Sequence, residues 1–324
     1  METHFRISCV MAERRHRIPW QLLTPTDGHS HKRQIPSQAP ATTSSKSIAA
    51  VQHNLISNLW SFPAAQISAG RQITSGQRII GALTSSDGTL LAEDSEGKLW
   101  SLDANGNRRS QLAEEANWPI ACGSYIVYAS GRDGVNRLVR MNSDGSGATT
   151  LATGTLWAPA CTPDGKSIFY AEAQQPRWKI RQVPVDGGAP VDVAENPGES
   201  IPGRVTISPD GTLFAFPFDE YTPEPVTKLA IVPIAGGPPL KTIKVPARIN
   251  GPRWSIDGKS LQYLLTQGKA TNLWEQPVAG GKPRQLTAFA SGEIFDFNWS
   301  LDGKQLFLSR GEVTSDVVLL RTIH

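Results

Sequence analysis

The chain has 324 residues, a formal net charge of +3, 19% charged residues, 29 glycines and 24 prolines. So small a net charge, with no run of Lys or Arg, excludes recognition of nucleic acid by charge, and no apolar run reaches the roughly 18–20 residues that a membrane-spanning helix needs. Three cysteines, Cys9, Cys122 and Cys161, are too few for a disulfide framework; Cys122 and Cys161, near the ends of neighbouring innermost strands, are expected as buried free thiols.

Residues 1–17 show neither strand alternation nor a helical stripe, and residues 1–28 are expected to be a loose tail, the remnant of an upstream repeat. Within it Trp20-Gln21-Leu22-Leu23 has the pattern of a third strand. The start carries scattered charges and no apolar core of a signal peptide. That reading places the chain in the cytoplasm as written, or outside it if the true start lies upstream.

From about residue 29 onward the chain repeats. A turn followed by an alternating apolar strand recurs from Ser44, Ser85, Cys122, Thr162, Ser208, Ser255 and Ser300. The repeats lie roughly 40–45 residues apart, the period of a four-stranded β-propeller blade. Asp-Gly supplies the hairpin turn before the second strand in five of the seven repeats, and a second turn, such as Gly187-Gly188, Gly236-Gly237 or Gly280-Gly281, joins third to fourth strands. Third strands run through Leu59-Trp60, Leu99-Trp100, Leu138-Val139, Lys179-Ile180, Leu229-Ala230, Leu273-Trp274 and Val318-Leu319; first strands carry Trp118, Trp157, Trp254 and Trp299. Tryptophan at a fixed place in each repeat points to packing between blades. The expected fold is an all-β, seven-bladed propeller over residues 29–324. An N-terminal strand at Lys32 to Ile35 is expected to pair with Val317 to Leu320 and close the ring.

The turn sequences Thr162-Pro163-Asp164-Gly165-Lys166 and Ser208-Pro209-Asp210-Gly211-Thr212, with Ser255-Ile256-Asp257-Gly258-Lys259 and Ser300-Leu301-Asp302-Gly303-Lys304 in looser form, resemble the WD40-like Pro-Asp-Gly repeat of TolB-type propellers. Ser57 to Trp60 and Thr314 to Leu319 are also similar to repeats found C-terminal to bacterial membrane-bound serine/threonine kinases. The resemblance implies a non-catalytic propeller that binds protein. TolB proteins are exported, from which this N-terminus departs.

Catalytic signatures are missing from the sequence. Gly165-Lys166-Ser167 and Gly258-Lys259-Ser260 open hairpins, not helices, so they do not make a phosphate loop. There is no Gly-x-Ser-x-Gly elbow, no His-Glu-x-x-His and no Cys-x-x-Cys, and His53 is alone among the regular repeats. Asp103 to Gly106 and Asn142 to Gly145 have hairpin chemistry and lack the bidentate acid of a calcium loop. No cofactor or metal is expected. The predicted innermost strands offer one acid, Asp296; a carboxylate pair there would favour the alternative of a funnel-site hydrolase or lyase. A further alternative is a regulatory piece detached from a kinase or peptidase.

The longer loops, where binding residues gather, are acidic, with eleven acids counted against four bases. Glu93, Asp94, Glu96, Glu114, Glu115, Asp219, Glu220 and Glu224 are the candidate binding residues. They point to a monomer that docks a basic peptide or a basic protein patch, centred on the loop from Pro217 to Thr227, through a field that salt screens.

Overall fold

The computed structural model describes residues 22–23 and 47–321, except 85–87, 104–105, 133–134, 175–176, 199–201, 221–225, 247–248 and 301. Its contacts divide the chain into two units, Ser57–Gly311 on the one hand and Met1–Ile56 with Glu312–His324 on the other.

The unit Ser57–Gly311 is a ring of six antiparallel sheets. Blade I comprises Ile79–Thr84, Leu90–Asp94, Leu99–Leu102 and Arg108–Ala113; blade II comprises Asn117–Cys122, Tyr125–Arg132, Val135–Asn142 and Thr149–Gly154. Blade III is Leu156–Cys161, Ser167–Gln174, Arg177–Pro184 and Val191–Glu195; blade IV is Thr206–Ile207, Leu213–Glu220, Val226–Pro233 and Lys241–Lys244. Blade V is Ile249–Trp254, Ser260–Gln267, Ala270–Pro277 and Arg284–Gln285. Blade VI pairs Glu293–Trp299 with Gln305–Arg321, then Ser47–Pro63, then Arg71–Gln72. The long strands Gln305–Arg321 and Ser47–Pro63 run on into the other unit, where Leu22 and Leu23 pair with Ala50 and Ala49.

The repeated turn is built by its own side chains. In blade V, Ser255 Oγ donates to Asp257 Oδ1 (2.7 Å), which also accepts from the Lys259 amide (3.1 Å). The Ser260 amide donates back to Ser255 Oγ (3.0 Å), and the Gly258 amide to the Ser255 carbonyl (2.9 Å). Gly258 has φ +68°, open to glycine and strained for other residues. Thr162/Asp164, Ser208/Asp210 and Ser300/Asp302 repeat this arrangement at 2.6–2.7 Å. A run of Ser, Asp and Gly is thus enough to set the hairpin locally.

Two apolar faces on every second strand then force stacking. Among the described residues, six buried clusters lie one at each seam of the ring: Tyr128 and Leu91 between I and II, Tyr170 and Val127 between II and III, Phe169 and Phe214 between III and IV. Leu229 and Tyr263 fill the IV–V seam, Leu264 and Phe297 the V–VI seam, and Leu59 with Ile79 the seam from VI back to I. Asn298 Nδ2 donates to the Ala82 carbonyl (3.3 Å) across that last seam.

Three expectations are corrected. The ring has six blades, not seven: the Ser44 repeat and the Ser300 repeat do not head separate sheets. The predicted second strand after Ser44 and the predicted third strand at Leu59-Trp60 fall in one continuous strand, Ser47–Pro63, beside Gln305–Arg321. Val318-Leu319 is likewise the end of a long second strand, not a third strand. The closing N-terminal strand is not found among the described residues. The strand next to Gln305–Arg321 is Ser47–Pro63, and Lys32 to Ile35 lies outside the described residues, as does most of the expected tail. Finally, Cys122 and Cys161 are not free thiols but a disulfide joining blades II and III, with Cα atoms 5.4 Å apart. Glycine permits that approach: a Cβ on Gly165 would sit 2.8 Å from the Gly123 Cα.

Candidate functional site

Measured back from each first turn, Arg204, Gly251, Asp296 and Gly81 occupy the same place in the inner segments of blades IV, V, VI and I. That register gathers an ion cluster across three blades. Arg253 Nη2 donates to both Asp296 oxygens (3.1 and 3.2 Å), and Arg204 lies at 3.5 Å from each. The Phe297 amide adds a bond to Oδ1 (2.9 Å), and the Arg253 guanidinium lies 5.5 Å from the Phe297 ring centre. The bulge that breaks register between Ile294 and Asp296 re-aims the carboxylate, as bulges do. Gly251, at φ +59°, brings the backbone within reach: a Cβ there would lie 3.7 Å from Asp296 Oδ1.

Burial pushes the Asp296 carboxyl up, but the Arg204 and Arg253 guanidiniums outweigh it and hold the group below its ordinary value. Burial, with repulsion from Arg204, lowers Arg253 to about 10 against the pull of Asp296. Glu93 approaches from the second strand of blade I. The position of a Cβ on Gly81 would be 3.2 Å from Glu93 Oε2 and 3.6 Å from Asp296 Oδ2. Sequence reasoning singled out Asp296 and missed both arginines, because only acids were sought on the inner strands. The signal was present in the shared spacing of Arg204 and Asp296 ahead of their turns.

The predicted acidic residues do not form one field. Asp94 is buried and braces its own hairpin, accepting from Trp100 Nε1 (2.8 Å), the amides of Glu96 and Lys98 (3.0 Å each) and Arg108 (3.1 Å). Glu96 is exposed but pairs with Lys98 at 2.7 Å, whose ammonium holds it below its ordinary value. Asp219 accepts from Thr227 Oγ1 (2.6 Å) and Glu220 from Lys228 (2.8 Å); Glu224 lies outside the described residues. Glu114 and Glu115 are brought elsewhere, to a groove of about 280 Å³ between blades I and II that Tyr128 and Met141 also line. A larger groove of about 440 Å³ lies between blades V and VI. There Trp299 Nε1 donates to Gln262 (2.8 Å), Gln262 Nε2 to Glu275 (3.2 Å), and Arg284 to Glu275 (2.6 Å). Trp118 and Trp157, grouped by sequence with Trp254 and Trp299, sit four residues before the end of their first strands, which Trp254 and Trp299 themselves end, and their ring centres lie 4.4 Å apart.

Among the described residues no group of three or more His, Cys, Asp or Glu could hold a metal, and no helix is long and apolar enough to cross a membrane. Six four-stranded blades, two of them with Pro-Asp-Gly turns, make a propeller with the fold seen in TolB-type proteins. A protein from Agrobacterium tumefaciens assigned to TolB is similar with a TM-score of 0.62 at 18% identity, over 79% of this chain and 98% of that one. TolB from Acinetobacter baumannii is similar at 0.50 and 14%, over 81% of this chain and 66% of that one. A chain of the nidogen/laminin complex matches at 0.56 and 12%, over 82% and 98%. No family model and no curated protein matches the sequence.

Proposed function

We propose that this propeller is a non-catalytic recognition module that binds a basic peptide or a basic patch of a protein partner. The observation that carries the reading is the state of the central carboxylate. Asp296 is engaged by two guanidiniums, so it is held ionised and is a poor general acid, and its role is to brace three blades behind a binding surface. The acidic loop residues supply the complement to a basic partner. The TolB-type fold is compatible with protein binding, although fold does not fix function. The test is the association rate of the intact chain with an immobilised lysine-rich peptide at low and at physiological salt. Faster association at low salt is expected, and its loss when Glu96, Glu114 and Glu115 are changed to Gln. Equal rates at both salts would refute the reading.

A second reading, a hydrolase or lyase in the central funnel, is favoured by one observation, the approach of Glu93 to Asp296 beside Gly81. Turnover of any ester, glycoside or uronide that Glu93→Gln abolishes would establish it in place of the first.

A further inference from the structure

Four residues before the start of each first turn, blades I to VI place Gly81, Trp118, Ala158, Arg204, Gly251 and Asp296 on their inner segments. At three of these positions the backbone is left-handed, with φ +52° at Trp118, +43° at Ala158 and +59° at Gly251. Only the glycine adopts that conformation without strain. The strand register slips at the same level in blades I, II, III, V and VI, and bulges of this kind gather beside sites.

At this level one carboxylate serves two guanidiniums. Among the described residues neither Arg204 nor Arg253 has an ion pair with any acid but Asp296, and the two guanidiniums repel each other. Arg204 is the worse served. It is 6% exposed, its nearest acceptors are the Asp296 oxygens at 3.5 Å, and its Nε has no partner. The Arg253 Nε has none either. Arg108, Arg181 and Arg310 also leave Nε unpaired, but each closes an Nη bond at 2.6–2.9 Å. A buried guanidinium without one short bond is costly, and its free edge is shaped to take the two oxygens of an anion side by side. There is room beside it: apart from its chain neighbours, a Cβ on Gly251 would meet only Asp296 Oδ1, at 3.7 Å. Glu93, beside Gly81, is engaged by interactions of its own.

We infer that the middle of the ring is a binding site for a small organic carboxylate, held by the guanidiniums of Arg204 and Arg253 and admitted by the missing side chain at Gly251. Two positive charges against the one negative charge of Asp296 leave a surplus that a monoanion neutralises, whereas a dianion would bury a new unpaired charge. The site goes beyond the function proposed above, which acts through the acidic loops, and it leaves Asp296 its bracing role.

The experiment is NMR titration of the intact chain, labelled with nitrogen-15 at arginine, with ionic strength held constant by sodium chloride. The probes are sodium acetate, acetamide as its uncharged counterpart, and sodium phosphate as the dianion. Acetate is expected to shift two arginine Nε–H signals saturably and to raise the thermal midpoint. Acetamide should do neither, and phosphate should bind more weakly than acetate. One of the two signals should vanish in Arg204→Lys and the other in Arg253→Lys, each variant binding acetate at least about tenfold more weakly, the size of one charge-assisted contact. Arg284→Lys, at an exposed pair, should bind acetate as the parent does. The comparison of acetate with acetamide needs only the parent chain, so a variant that fails to fold leaves the test standing. No saturable shift with acetate, or equal shifts with acetamide, would overturn the site and leave the free donors to water. Shifted signals that persist in both lysine variants would overturn it as well, and tighter binding of phosphate would overturn the choice of a carboxylate.

Discussion

At the residue scale the decisive side chain is Asp296. Removing its charge leaves Arg204, buried, and Arg253, largely so, facing each other, which is the expensive way to break an ion cluster. Asp296→Asn is therefore expected to cost about 3–5 kcal/mol in chemical denaturation, whereas an exposed pair such as Arg177 with Glu195 should cost little on neutralisation. The turn aspartates act in the same direction with less weight. Asp164, Asp210, Asp257 and Asp302 are held below their ordinary value by a Ser or Thr hydroxyl first and a backbone amide second. A depressed carboxyl stabilises the fold above its unfolded pKa and loses that contribution as pH falls through the folded one. Stability should thus be level near neutrality and fall below about pH 4, and Asp257→Asn should be less stable at pH 7 with a shallower acid decline. Denaturant melts across pH will check both. Sequence identified Asp296 because an acid on an inner strand stands out. It did not show that Asp94, Glu96 and Glu220 each pair with a cation, because Arg108, Lys98 and Lys228 sit across a turn or on a paired strand and had not been counted with the loops.

At the scale of the element, the repeated turns interlock. The residue after the Ser or Thr rests on the glycine of the next blade's turn. Pro163 would meet a Cβ on Gly211 at 3.5 Å, Pro209 one on Gly258 at 3.6 Å, and Ile256 one on Gly303 at 2.6 Å. The glycine is needed for its positive φ and, at Gly303, for the space as well. Ile256 stands where the turns of blades III and IV have Pro163 and Pro209, at the second position of a turn that favours proline, and is 53% exposed. Ile256→Pro is expected to stabilise by about 0.4–1 kcal/mol, seen as a raised thermal midpoint. Gly303→Ala should destabilise in either background, and more with Ile256 present. The hairpins were legible from sequence because Ser, Asp and Gly build them within six residues. The third-to-fourth-strand turns were legible for the same reason, down to Gly236, where a Cβ would fall 2.2 Å from the Val193 carbonyl oxygen of the preceding blade.

At the scale of the whole Ser57–Gly311 unit, what sequence could not show was which hairpins share a sheet. Seven turn-like repeats suggested seven blades, but sheet membership depends on pairing between segments distant in the chain, and Ser47–Pro63 joins the sheet of Glu293–Trp299. The disulfide was hidden similarly: Cys122 and Cys161 are 39 residues apart, and only the close packing of Gly123 against Gly165 brings them together. Replacing both cysteines by serine is expected to cost about 2–4 kcal/mol, and a non-reducing peptide digest should recover the linked pair. The same bond has a consequence for how the ring breathes. Seams held by side-chain packing can part transiently, whereas blades II and III are tethered at their inner strands. Amide protons of the two blades should therefore exchange with deuterium as one cooperative block, slower than those flanking the VI–I seam, and reduction should split that block in two.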